Sequence, residues 1–286
     1  MAEFDLDNIP KNLMDSINSG KCGLFVGAGL SINAGFPTWK QLLLELIEKV
    51  KNETRTPSTK IDELIYLVDN PSKYLLVAEE LRDLLHTELP KYIKVRFDDK
   101  KIGPTSLHEK LFSIRHNYII TTNYDLLLEN AYVKANGRMP NVYTYKDASS
   151  INYNLYERER FILKAHGDSS RAPEEIILTE KDYRRIIYNE RGYQSILQAM
   201  FSTSNILFLG VSLNDPEINL LLGFIHHIFH GGSPDHYAIM AQDQVTETEI
   251  DRWRKDFKIN IITYDPSEDH KQVEEFVDGL ITKQLS

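Results

Sequence analysis

The chain has 286 residues, 42% of them hydrophobic and 10% aromatic, enough to bury a substantial core as one large domain or two small ones. Its 33 basic and 42 acidic residues give a formal charge of -9, which offers no general basic surface to a polyphosphate and argues against direct nucleic-acid binding. The single cysteine, Cys22, excludes an internal disulfide framework and a zinc site of paired CxxC motifs, and fits a reducing compartment.

The N-terminal segment opens with acids instead of a basic stretch followed by an apolar run, so no secretory signal is expected. No stretch approaches the ~18 consecutive apolar residues of a membrane span. The expectation is a soluble, cytoplasmic protein with no membrane contact.

The first short apolar run, at 23–28, runs into the loop Gly27-Ala28-Gly29-Leu30-Ser31, with Gly35-Phe36-Pro37 beyond it. Glycines let the backbone approach a ligand, and amides at the start of a helix point at anions such as a pyrophosphate. The pattern is not GxGxxG, and no acid-terminated second strand follows ~20 residues on, which counts against a hydride-transfer enzyme. Residues 40–104 read as several helices with no strand between them, a helical insertion. Further strands are expected near 117–122, 161–165, 206–210, 237–241 and 259–264, with helical segments at 106–114 and 195–201 between them. The polar, tyrosine-rich stretch 136–158 suits a long loop or a small irregular layer. This alternation implies an α/β fold, a Rossmann-like parallel sheet with helices on both faces. Residues 1–286 are expected to form a single domain, with its core at about 20–39 and 105–265.

Three further stretches follow in order: Thr121-Thr122-Asn123-Tyr124-Asp125, Lys164-Ala165-His166-Gly167-Asp168, and Gly210-Val211-Ser212-Leu213 with Asp215-Pro216 just beyond. Taken alone, Asn123 and Asp125 could cap the helix that follows, and Asp215-Pro216 is an ordinary helix start. His108 reads as a core residue on a helix, and Thr179 with Asp182 as a helix cap. Together with the glycine loop, the ordered motifs resemble the SIR2 (sirtuin) family, closest to the SIR2-like branch found in bacterial anti-phage defence effectors.

The resemblance implies a pocket that takes NAD as substrate. Gly27, Ala28, Gly29 and Ser31 would hold the pyrophosphate, and Gly210 and Ser212 would approach the phosphates or the adenosine ribose. Asn123 would lie beside the nicotinamide ribose, Asp125 would bond the carboxamide, and His166 would act as base. Nicotinamide leaves as a neutral group, so the pocket must supply orientation, dryness and a base, and imidazole titrates in the right range. The four-cysteine zinc module of deacetylating sirtuins is absent, no metal is expected, and Gly35-Phe36-Pro37-Thr38-Trp39-Lys40 replaces the GIPDFR loop, with Trp39 a candidate aromatic lid.

These departures favour water as the nucleophile and NAD hydrolysis over deacylation; an NAD-dependent deacylase and a non-catalytic NAD or ADP-ribose sensor stand as alternatives. Such a hydrolase must be latent, and the expectation is a homo-oligomer controlled by a separately encoded activator such as a motor ATPase. The loops at 136–158 or 185–194 would gate access. Tyr264 is the candidate for contact with adenine.

Overall fold

The computed structural model describes residues 3–213 and 215–285, apart from the side chains of residues 217 and 285. Among these residues lie seven strands: β1 (Cys22–Val26), β2 (Tyr118–Thr121), β3 (Asn141–Thr144), β4 (Phe161–Lys164), β5 (Asn205–Leu209), β6 (His236–Ala241) and β7 (Ile259–Tyr264). All neighbouring pairs are parallel, in the order β3-β4-β2-β1-β5-β6-β7. The chain runs outward from β1 to β2 and β4 on one side, then returns to build β5, β6 and β7 on the other. β1 therefore borders the switch point, where open α/β sheets bind ligands at their carboxyl ends.

Strand periodicity divides the core between two faces. Leu24, Val26, Ile119, Ile162, Leu207 and Ile239 pack on one side, against the helices Lys11–Asn18 and Lys271–Leu285. Phe25, Ile120, Leu163, Phe208 and Met240 pack on the other, against Arg191–Thr203 and Pro216–Ile228. Burial on both faces explains why these strands are nearly continuous apolar runs.

Between β1 and β2 lie the helices Trp39–Glu53, Ser58–Val68, Tyr74–Leu85 and Glu88–Phe97, with no strand among the described residues of this stretch. Their apolar faces form a third cluster that also takes in Tyr124, Leu127, Ile176 and Leu178, so it packs directly on the loops beyond β2 and β4.

Two stretches differ from the sequence expectation. The segment 136–158 is not a long loop: it contains β3 and the helix Ala148–Glu157. Residues 185–194 are helical except for a break at Glu190, between Glu180–Asn189 and Arg191–Thr203. Hydrogen bonding to β4 and burial of Ile151 and Asn154 outweigh the weak polar patterning of 136–158. Neither stretch forms the gating loop anticipated from its composition.

The loops after β1 and β5 are locked together through backbone contact. Gly27 N–H donates to Leu209 O at 2.9 Å and Gly29 N–H to Gly210 O at 2.9 Å. Gly210 has φ +64°, and a Cβ there would lie 2.9 Å from Leu30 N and 3.2 Å from Gly29 Cα. Gly210→Ala is expected to cost about 1–3 kcal/mol in urea unfolding, from backbone strain plus this clash. Gly137 has a similar φ of +67° with nothing within 4 Å, so Gly137→Ala should cost clearly less.

Candidate active site

Four loops meet at the carboxyl edge of the sheet, after β1, β2, β4 and β5. Ala28, Ser31, Asn123, Asp125 and His166 line one cavity of about 80 Å³, closed by Phe36, Trp39, Phe97 and Tyr124 and bordered by Tyr183 and Asp215. The sequence thus brings its two candidate catalytic residues to one enclosed space from different strands.

Asn123 is fixed by a chain of hydrogen bonds. Its amide Nδ2 donates to Gly27 O at 3.0 Å and to Ser31 Oγ at 2.9 Å. The Ser31 hydroxyl in turn donates to Asp125 Oδ2 at 2.7 Å, while Asp125 Oδ1 accepts from Leu127 N–H at 3.0 Å. Both amide hydrogens are therefore committed, and the atom Asn123 presents to a ligand is the Oδ1 acceptor. Ser31 and Asp125 are buried and act visibly as supports for Asn123. The helix that follows has Leu126 at its N-cap position and no side-chain cap, so Asp125 does not form the cap its position allowed; its Oδ1 instead holds the first helical N–H from one residue earlier.

His166 follows β4 and is held by its own backbone, its carbonyl accepting from Ile177 N–H at 3.0 Å. Gly167, at φ +92°, turns the chain away so closely that a Cβ would lie 2.6 Å from Glu175 O. The imidazole is buried against the edge of the Tyr183 ring, 5.1 Å between centroids, and its Nε2 lies 3.3 Å from Asp215 Oδ2. Burial lowers its pKa below the ordinary 6.5, with Asp215 and Asp182 pulling partly the other way. The ring is thus neutral at pH 7, the form a base requires.

The remaining expected ligand contacts are distributed as follows. Gly27, Gly29 and Gly210 make the β1–β5 loop contact, with the Gly27 amide donated to Leu209 O at the end of β5 and the Gly29 amide to Gly210 O just beyond it. Ser212 is exposed beyond β5 and does not line the cavity. Trp39 lines the cavity and stacks on Tyr74 at 5.8 Å. Tyr264 lies on edge strand β7, its hydroxyl 2.7 Å from His270 Nδ1. His108 is buried and bonds Thr105 at 2.8 Å, and Thr179 with Asp182 forms a capping box, as their spacing implied.

Lys164, two residues before His166, has a structural role that its motif does not reveal. Its buried ammonium donates to Tyr124 O at 3.2 Å, to Asp125 O and to Glu129 Oε1 at 2.9 Å, with Asp168 Oδ1 3.4 Å away. Burial opposes its charge, yet Glu129, Asp168 and Asp125 together outweigh that cost and raise its pKa. One side chain two residues before His166 therefore ties down the loop that carries Asn123. Among the described residues no His, Cys, Asp and Glu are grouped as a metal site, and no helix is long and apolar enough to cross a membrane.

A model of the SIR2-like domain matches residues 117–262, half of the chain, and spans β2 to β7 with both Asn123 and His166. The chain belongs to the SIR2-like family. It is 27% identical over 262 residues to the NAD(+) hydrolase ThsA of Acinetobacter baumannii (strain 532279), covering 92% of this chain and 50% of that protein. It is 26% identical over 220 residues to defense-associated sirtuin 2 of Bacillus subtilis, covering 76% of this chain and 20% of that protein. A Sir2 homologue solved as a mutant in complex with ADP-ribose aligns over 97% of both chains with a TM-score of 0.46 and 15% identity. This SIR2-like chain spans half or less of the length of these two sequence relatives.

Lys164→Met would strand Glu129 and Asp168 as buried carboxylates without their cation. Removing one partner of a buried pair costs about 3–5 kcal/mol, so urea unfolding should show a loss of that order. Adding Glu129→Gln should recover part of it.

Proposed function

We propose that this chain hydrolyses NAD at the bond between nicotinamide and ribose, yielding nicotinamide and ADP-ribose. The observation that carries this is the convergence of Asn123 and a buried His166, whose pKa burial lowers, on one cavity at the switch point of a SIR2-like sheet. The name of the Acinetobacter baumannii relative, NAD(+) hydrolase ThsA, agrees with it.

The chemistry uses those two groups. The C1′–N bond breaks with its electron pair leaving on nicotinamide, which departs neutral because the pyridinium was positively charged. A water molecule bonds to C1′, oriented as a hydrogen donor to Asn123 Oδ1, and its proton passes to His166 and then to solvent. Ser31 and Asp125 act behind Asn123, fixing it, and the loops at Ala28 and Ser212 lie on the phosphate side. The enclosed space of about 80 Å³ is smaller than the ~300 Å³ or more of ordinary ligand pockets. Next to it, across Phe36 and Pro37, lies an open groove of about 510 Å³ lined also by Ile32, Leu44, Glu45 and Arg96. Displacement of Phe36 and Pro37 would merge the two into a space of nucleotide size.

Such an activity must be held in check, and the latent form is a cytoplasmic homo-oligomer or a complex with a separately encoded activator such as an ATPase, acting in anti-phage defence. Supporting this, Leu220, Phe224 and Ile228 stand exposed at four-residue intervals along the helix Pro216–Ile228, an apolar stripe of the kind that marks association surfaces. The defence setting is supported by the Bacillus subtilis relative, a defense-associated sirtuin.

Quantifying nicotinamide released from NAD, with and without an acyl-lysine peptide, tests the activity. Release without peptide supports hydrolysis, whereas release only with peptide would replace it by deacylation. His166→Ala should lower kcat on the order of 10²–10⁴-fold, and Asn123→Ala about 10²-fold or more, with the fold retained by circular dichroism. Full turnover in both variants would remove the mechanism.

The pH dependence follows from the direction of the His166 shift. Because its pKa lies below 6.5, the working neutral form persists as pH falls through 6.5, and kcat/KM should decline only at more acid pH. A decline centred above 6.5 would contradict a buried, neutral base.

A further inference from the structure

Asp215 follows β5 at the start of the helix Pro216–Ile228, where an Asp-Pro pair is an ordinary helix opening. The structure bears out the cap: Asp215 Oδ1 accepts from Ile218 N–H at 3.1 Å. Its other oxygen does something a cap does not require. Oδ2 accepts the Tyr183 hydroxyl at 2.9 Å and faces His166 Nε2 at 3.3 Å, while the Tyr183 ring stands edge-on to the imidazole at 83°. Two residues from separate helices thus hold one carboxylate against one nitrogen of the candidate base.

A carboxylate oxygen carries only lone pairs, so a ring nitrogen facing it is favoured when it carries hydrogen. The 3.3 Å separation is long for a hydrogen bond, as is common before a substrate completes a site. We propose that Asp215 is a positioning residue for His166, accepting Nε2–H and so selecting the tautomer in which Nδ1 holds the proton-accepting lone pair. This rests on His166 being the base. The same carboxylate would stabilise the imidazolium formed when the base takes a proton, and would pass to it any shift in the start of the helix.

Other groups also bear on the ring. From the helix Glu180–Asn189 come Tyr183 and Asp182, the latter already paired with Arg82 at 2.8 Å and Arg185 at 3.5 Å. From its own segment come Lys164 and Asp168, which face each other at 3.4 Å, and Asn123 and Asp125 line the same cavity. Asp182 and Asp168 are paired with cations, and Asp215 Oδ2 lies 3.3 Å from the imidazole Nε2.

Asp215→Asn separates the two roles, because Asn caps a helix as well as Asp but carries no negative charge. Two measurements are made on the full chain: imidazole nitrogen–proton correlation spectra, with the His166 signals assigned by their loss in His166→Ala, and the pH profile of nicotinamide release. Wild type should show His166 as the Nε2–H tautomer. In Asp215→Asn that tautomer should lose its dominance, kcat should fall on the order of 10²-fold with KM unchanged, and the acid limb of kcat/KM should move to lower pH. Asp215→Ser, which also caps, should behave in the same way and serves if the Asn variant fails to fold.

A wild-type Nδ1–H tautomer would overturn the proposal. So would unchanged His166 signals with an unmoved acid limb in the variants, including the case in which only thermal stability falls. The spectra do not depend on turnover. If they change as expected while wild type releases no nicotinamide, the Asp215–His166 relation stands and the hydrolase function fails.

Discussion

A single buried ammonium ties the site together. Lys164 sits at the last position of β4, out of contact with water, and a charge in that setting persists only if every one of its hydrogens and its field are satisfied. Its partners are the Tyr124 and Asp125 carbonyls, the Glu129 carboxylate and the nearby Asp168. Because leaving any of these charges stranded is expensive, the loop after β2 and the loop after β4 are held at one separation. Asn123 lies on the first and His166 on the second, so the spacing of the two candidate catalytic groups is set by an ion pair that need never touch substrate.

Around that fixed point the remaining contacts act as successive braces. The glycines after β1 and β5 touch backbone to backbone, which places Gly27 O and Ser31 where the Asn123 amide must find them. Asp125 ends this chain of bonds, accepting from Ser31 and from the Leu127 N–H at the start of the next helix. This is preorganisation in a literal sense: the donors of Asn123 are used up by protein, and only an acceptor remains for a ligand. The aromatic wall is different in kind. Phe36 stacks on Phe97 at 5.4 Å, Phe97 meets the edge of Tyr124 at 5.3 Å, and Trp39 lies on Tyr74 at 5.8 Å. Each such pair is worth only about 0.5–1.5 kcal/mol beyond its buried area, less than breaking the buried ion pair costs, which suits the side of the cavity that would yield to a ligand.

Much of the fold was legible because both faces of the sheet are buried, making β1, β2, β4, β5 and β6 continuous apolar runs bounded by turn residues. β3 was not: it is a four-residue edge strand, partly exposed, and its sequence Asn141-Val142-Tyr143-Thr144 carries no run long enough to stand out. Strand ends were also read slightly long, since Gly27 and Ala28 follow β1 as the cap and first residue of a short helix. At the site, Asn123 and His166 were visible through ordered motifs and their place at strand ends. Lys164 was hidden because its hydrogen-bond acceptors lie 35 to 40 residues away, and a lysine ending an apolar strand looks like a solvated residue. Asp215 was half visible: its cap is a local pattern, whereas its approach to His166 exists only once the sheet brings the loops after β4 and β5 to the same carboxyl edge. The same distinction applies to Ser31, whose motif pointed toward phosphate and whose hydroxyl turns inward to Asp125.

The central claim is spatial: Asn123 and His166 act on the same carbon of one bound dinucleotide. The most direct measurement is a crystal structure of the His166→Ala chain soaked with NAD. The account predicts the nicotinamide ribose between Asn123 Oδ1 and the space left by the imidazole, with Phe36 and Pro37 moved aside. A dinucleotide bound elsewhere on the molecule, or a nicotinamide ribose remote from either position, would contradict it.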